Sequence, residues 1–218
     1  MKHYSLFLIL VLMVFACQSR EDSEQEANSS TAPATDTAAA AMPAPATPDS
    51  AYLIVPGESI GRIRLGMPAS ELYAVMGKAD SGDAAMGKSL QFWISKGGGQ
   101  PRQYVAAYTV NSFDEAGSPP MVQQVQVTSP QFRTGSGLGP GNTLAEIRKE
   151  FSQVEPLAYY TNQEQQQVYI IDEQARGIAF EVTVPDSICT AVTVHAKGTD
   201  VTGTYLPVHP DMTRLKQP

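Results

Sequence analysis

The chain is 218 residues long, with 42% apolar residues, 17% charged residues and a formal charge of −7. Its apolar share is enough to build a core, and its acidity leaves no basic footprint for a nucleic-acid backbone. Its two cysteines are too few for a disulfide scaffold or a Cys-rich zinc site. The acidity is local. Between positions 18 and 50, Arg20 stands against Glu21, Asp22, Glu24, Glu26, Asp36 and Asp49, whereas 51–218 carries 13 bases against 16 acids. The part with folding potential is therefore nearly neutral, and its net charge gives no hint of a ligand.

Lys2 and His3 precede eleven apolar residues at 6–16. That run is too short for the about 20 residues that span a bilayer, but it suits the hydrophobic region of a signal peptide. It ends in Val14-Phe15-Ala16-Cys17, which resembles the lipobox of bacterial lipoprotein signal peptides. The resemblance implies that 1–16 is removed and that Cys17 becomes the acylated first residue, since several acyl chains anchor stably where one does not. An ordinary secretory signal with a chance cysteine is the other reading. The acidic run at 18–26 resembles the export signal that takes lipoproteins of Bacteroidota to the outer face of the outer membrane; a solvated spacer is its alternative. Residues 27–50 are Ala, Pro, Ser and Thr with Met42 as their one large apolar residue, so 17–50 is expected to be a disordered linker. Within it Asp36-Thr37-Ala38 and Asp49-Ser50-Ala51 resemble the O-glycosylation acceptor of Bacteroidota, making Thr37 and Ser50 candidate acceptors.

From Tyr52 onward aromatics, β-branched residues and turn signals appear together. The segment running from Ile63 through Gly66-Met67-Pro68 to Met76 returns 75 positions later. Gly66 then meets Gly141, Glu71 meets Glu146, Leu72 meets Ile147 and Met76 meets Phe151. Each copy predicts a short amphipathic helix. In the first, Pro68 suits the opening turn, Leu72, Val75 and Met76 form the apolar stripe, and Gly77 closes it. In the second, Thr143 and Glu146 make a capping box ahead of Leu144, Ile147 and Phe151. Strand patterns follow each helix. Residues 89–95 place Leu90, Phe92 and Ile94 on one face and Trp93 on the other; 103–110 is rich in Tyr and Val; 122–128 sets Val125 and Val127 against Gln124 and Gln126. After the second helix come 167–172, 177–184 with Ile178, Phe180, Val182 and Val184 inward, and 188–196. One-sided alternation points to antiparallel pairing. The expected fold is α+β: two tandem units, about 57–130 and 131–204, each one short helix on three antiparallel strands and together sharing one sheet. They lie in a domain of 51–210 with a tail at 211–218.

The pattern Gly66-Met67-Pro68-x-x-Glu71-Leu72-x-x-x-Met76-Gly77-x-Ala79 resembles the signature of the SmpA/OmlA outer-membrane lipoproteins and of the β-lactamase inhibitor protein, in which the unit occurs in tandem. Pro68 stands where that signature has a hydroxyl cap, and Ala79 where it has proline. The resemblance implies the α+β tandem fold and a sheet face that holds a protein partner.

Chemistry is sparse. Cys189 and His195 are six residues apart on one strand, about 20 Å, and cannot form a catalytic pair. His195, His209, Asp200 and Asp211 make a conceivable enzyme or metal site but follow no ligand spacing. Gly97-Gly98-Gly99 opens no helix, Gly135-Ser136-Gly137-Leu138-Gly139 lacks the following Lys and hydroxyl, and no serine sits in a Gly-x-Ser-x-Gly turn. No cofactor is expected. The remaining candidate is a protein-binding face of Trp93, Tyr104, Tyr108, Gln124, Gln126, Tyr169 and His195, because Trp and Tyr dominate interface energetics. The sequence thus reads as a lipid-anchored, envelope-facing outer-membrane protein that binds or scaffolds, on the periplasmic or the cell-surface side. An enzyme or metal protein built on His195 and His209 is the alternative.

Overall fold

The computed structural model describes residues 49–99, 101–111, 117–202, 209 and 211–215. Cys17, Thr37, the signal segment and all but the last two residues of the linker lie outside them. Ser50 opens a short 3-10 turn capped by Asp49, whose Oδ1 accepts from Ala51 N at 3.0 Å.

Two helices form where the 75-residue offset places them, α1 (Ala69–Met76) and α2 (Leu144–Glu150). Pro68 precedes α1 with no side-chain cap, and Gly77 ends it at φ 74°, a left-handed conformation that suits glycine. The capping box of α2 is complete: Thr143 Oγ1 accepts from Glu146 N at 3.2 Å, and Glu146 Oε2 accepts from Thr143 N at 2.8 Å. The helix starts dock in matching ways, with Gly66 N donating to Val122 O and Gly141 N to Cys189 O, both at 2.7 Å.

The expectation of two α+β units, each a helix on three strands, is corrected. The helices are only eight and seven residues long, and strands dominate. A nine-stranded antiparallel sheet is built from β4 (Ser81–Ala85), β5 (Lys88–Ile94), β6 (Tyr104–Val110), β7 (Met121–Val127), β9 (Glu155–Thr161), β10 (Gln167–Glu173), β11 (Ile178–Val184), β12 (Cys189–His195) and β13 (Thr213–Arg214). Their order across the sheet is β13-β9-β10-β11-β12-β7-β6-β5-β4. A second, four-stranded sheet contains β1 (Leu53–Val55), β2 (Ser59–Ile60), β3 (Ile63–Arg64) and β8 (Arg133–Thr134) in the order β3-β2-β1-β8. The architecture is mostly β. The physical reason is that one short helix per half covers too little of a sheet this wide, so β-strands from both the chain start and the middle supply the rest of the covering layer.

One face of the large sheet carries the main core. Val125, Val127, Val192, Val194, Ile178, Phe180 and Val182 pack with Leu72, Ile147 and Phe151 from the helices and with Ile54, Ile60 and Ile63 from the small sheet. Leu72 and Ile147 are fully buried, each worth about 1.5–3 kcal/mol of transfer free energy. The Phe151 and Phe180 rings lie 5.1 Å apart, and Arg176 caps Phe151 at 4.0 Å.

Gly177 ties the two sheets. Its carbonyl accepts from both Gly57 N and His195 N at 3.1 Å, and at φ +71° an added Cβ would stand 2.3 Å from His195 O.

Candidate functional site

The opposite face of the large sheet is polar yet buried. Gln124, Gln126, Thr193, His195, Glu181 and Asp172 are all at most 7% exposed. They share this face because β7 and β12 pair Gln126 with Thr193 and Gln124 with His195, β11 and β12 pair Glu181 with Ala191, and β10 runs beside β11. Buried polar groups in such numbers must satisfy one another, and they do so in two clusters.

The first cluster is closed. His195 Nε2 lies 2.9 Å from Asp172 Oδ1, and its Nδ1 faces Ala196 O at 3.0 Å. Asp172 Oδ2 accepts from Val201 N at 3.1 Å, and Gln124 Nε2 donates to Val201 O at 2.9 Å. The chain after β12 is thereby laced across the sheet.

The second cluster opens into a cleft of about 630 Å³. Glu181 Oε1 accepts from Gln126 Nε2 and its Oε2 from the Tyr160 hydroxyl, both at 2.7 Å. Gln126 Oε1 accepts in turn from the Tyr104 hydroxyl at 2.9 Å. The His209 ring stacks on Tyr160 with centroids 3.5 Å apart, and its Nε2 lies 3.7 Å from Glu181 Oε2, beyond hydrogen-bond reach. Pro101, Pro130, Pro140 and Val168 give the cleft apolar walls, with Arg102 and Glu164 exposed at its edge. A largely apolar concavity with a few convergent polar groups is the usual form of a ligand site.

Burial first, and then the negative charge of Glu181, pushes the Tyr104 hydroxyl well above its ordinary value. The same two causes, in the same order, push the Cys189 thiol up. A thiol so raised stays protonated and is a poor nucleophile.

Several expected site residues sit elsewhere. Trp93 is on the helix side, 9% exposed, donating from Nε1 to Gly77 O at 3.2 Å with its ring 6.4 Å from that of Tyr73. The inward set expected for that strand is reversed: Leu90 and Phe92 pack with Ala106, Tyr108 and Tyr104 in a separate cluster. Tyr169 also lies on the helix side, half-buried and 5.7 Å from the Tyr159 ring. The structure brings Tyr104, Tyr108, Gln124, Gln126 and His195 to one face, but buries Tyr108, Gln124, Gln126 and His195 rather than leaving an open aromatic surface. Cys189 leaves the His195 face, because a register shift sets Glu181 against Ala191 but Val182 against Cys189. Thr190 is then the extra residue, and such a bulge reverses facing beyond it. Of the conceivable enzyme or metal set, His195 pairs with Asp172, Asp200 accepts from Thr202 N, Asp211 is exposed, and His209 lies beside Glu181. Among the described residues no group of three or more His, Cys, Asp or Glu is placed to hold a metal ion.

Glu181, Asp172 and Tyr160 were not singled out by the sequence. The signal present was Glu181 between apolar neighbours in Ile178–Val184 and, more weakly, Asp172 near the end of Gln167–Glu173. Alternation assigned Glu181 to a solvated outer row, which is where its face would be were that face uncovered.

No family model matches the chain, and no curated protein matches it. A solved structure of a DUF4309 family protein, YjgB from Bacillus subtilis, is similar over 65% of this chain and 88% of that chain, with 14% identity and a TM-score of 0.36. Among the described residues no helix is long and apolar enough to cross a membrane.

Proposed function

We propose that this chain is a lipid-anchored protein of the bacterial cell envelope, held at the outer membrane through Cys17, whose β-rich domain acts by binding a partner in the Glu181 cleft and not by catalysis. The lipobox-like Val14-Phe15-Ala16-Cys17 supports the anchor, and the acidic, proline-bearing linker supports reach away from the membrane. The observation that carries the binding role is the cleft: a buried carboxylate, held from both sides by Gln126 and Tyr160, at the base of a concavity walled by prolines and tyrosines. The groups that would serve a nucleophilic mechanism are absorbed into structure, with the Cys189 thiol buried and raised and His195 sealed against Asp172.

Two variants test it. Cys17→Ser is expected to abolish palmitate labelling and move the chain from the membrane to the soluble fraction. Thr190→Arg, at an exposed residue of the cleft wall, is expected to leave the fold intact and to abolish crosslinking of the anchored chain to its envelope partner. Retention of Cys17→Ser in the membrane fraction overturns the anchor, and unchanged crosslinking by Thr190→Arg overturns the cleft as the binding surface.

A further inference from the structure

The Glu181 side chain is 8% exposed, and what it exposes faces the cleft. A carboxylate offers about four lone-pair sites, and the bonds from Gln126 and Tyr160 fill two. Both donors are neutral. Among the described residues no Lys or Arg lies within ion-pair distance of Glu181, and the nearest cationic candidate, His209 Nε2, stands off at 3.7 Å with no hydrogen-bond partner of its own. A carboxylate taken out of water with only the His209 ring, at 3.7 Å, as a basic neighbour is costly, and its charge already raises the neighbouring Tyr104 and Cys189 groups, second to burial in each. The cleft therefore holds negative charge at its base, unfilled acceptor sites, and the aromatic ring of Tyr104, which favours a cation at its face. Arg102 and Glu164 at the mouth are opposite in sign and leave that preference unchanged.

We infer that the cleft is a receptor for an organic cation, a primary ammonium or guanidinium on an apolar stem, which donates to Glu181 while its stem lies against the tyrosine and proline walls. This rests on the reading of the cleft as the binding surface. The same chemistry comes from a free amine or from a Lys or Arg side chain in an exposed segment of another protein, and a charge-assisted hydrogen bond to Glu181 serves both.

The test is calorimetric titration of the full chain in detergent micelles with pentylamine as the free amine, with N-acetyl-lysine and N-acetyl-arginine methylamides as the side-chain forms, and with pentanol and pentanoate as neutral and anionic isosteres. At least one cationic probe is expected to bind about tenfold or more tighter than both isosteres, with Glu181→Gln removing that preference. Tighter binding of pentylamine assigns a free amine, and tighter binding of the methylamides assigns a protein side chain. Because Glu181 is buried and hydrogen-bonded, Thr190→Arg provides a second variant, which keeps the bonds from Gln126 and Tyr160 to the Glu181 carboxylate, gives up only the 3.3 Å bond from the Thr190 hydroxyl to Glu181 O and fills the cleft with its own guanidinium; it too is expected to abolish binding. The inference is overturned if no cationic probe binds, if the isosteres bind equally well, or if Thr190→Arg binds the cation as the parent does. Loss of partner crosslinking in Thr190→Arg without any cation preference would sink the cation and leave the cleft standing. Unchanged crosslinking would sink the cleft reading itself.

Discussion

His195 Nε2 lies 2.9 Å from Asp172 Oδ1, with side chains only 1% and 0% exposed, joining the last long strand to β10 across the intervening β11. Removing one partner of such a pair strands the other without its contact. Asp172→Ala is expected to destabilise the domain by about 3–5 kcal/mol, read as a lower urea midpoint. Because Asp172 Oδ2 also accepts from Val201 N, limited proteolysis is expected to cut the variant faster around 196–202. Replacing both residues with apolar side chains of similar volume is expected to recover part of the loss. Equal stability of Asp172→Ala and the parent chain would show the pair to be unimportant.

Trp93 is a core residue. It lies on the helix side of the sheet, where its indole N–H donates to Gly77 O at the end of α1. Trp93→Ala is expected to cost about 3–5 kcal/mol through the lost side chain and the cavity left behind. Trp93→Phe, which keeps most of the bulk, is expected to cost less. An alanine variant that melts with the parent would return Trp93 to the surface.

The cap of α2 carries a pH dependence. Hydrogen bonding from the Thr143 backbone and then its hydroxyl, followed by Asn142, holds the Glu146 carboxyl below its ordinary value. A carboxyl lowered on folding adds stability that is present above its unfolded value and is lost as pH falls through the folded one. Thr143→Ala is expected to cost about 1 kcal/mol at neutral pH. Urea midpoints at pH 7 and pH 3 check this, with the gap between variant and parent shrinking at the lower pH.

Burial keeps the Cys189 thiol protonated, and its sulfur donates to Ala191 O at 3.3 Å. In a Cys17→Ser background Cys189 is the one remaining thiol. An aromatic disulfide reagent is expected to modify it more than about a hundredfold slower in the native chain than in urea. Fast labelling of the native chain would place the thiol in open solvent.

Much of the local structure was legible in the sequence. The capping box at Thr143 and Glu146, the closing Gly77 and the inward set Ile178, Phe180 and Val182 each follow from residues within a few positions of one another, whereas Val184, expected with them, is exposed at the strand end. The strand of Trp93 was misread because both of its faces are covered. Leu90 and Phe92 join one apolar cluster and Trp93 another, so alternation marks two faces there without saying which meets the helices.

Local residues set where both helices begin, where α1 ends and, for the central strands, which residues share a side, because capping and the two-residue strand period act over a single turn or strand. Strand assembly, by contrast, covers the polar side as well and brings Glu181, Gln126, Tyr104 and Tyr160, drawn from four strands, together at one cleft. A bulge at Thr190 likewise turns Cys189 toward the core. These features depend on the register between paired strands. A shift of one residue there reverses every facing beyond it while leaving the local pattern unchanged.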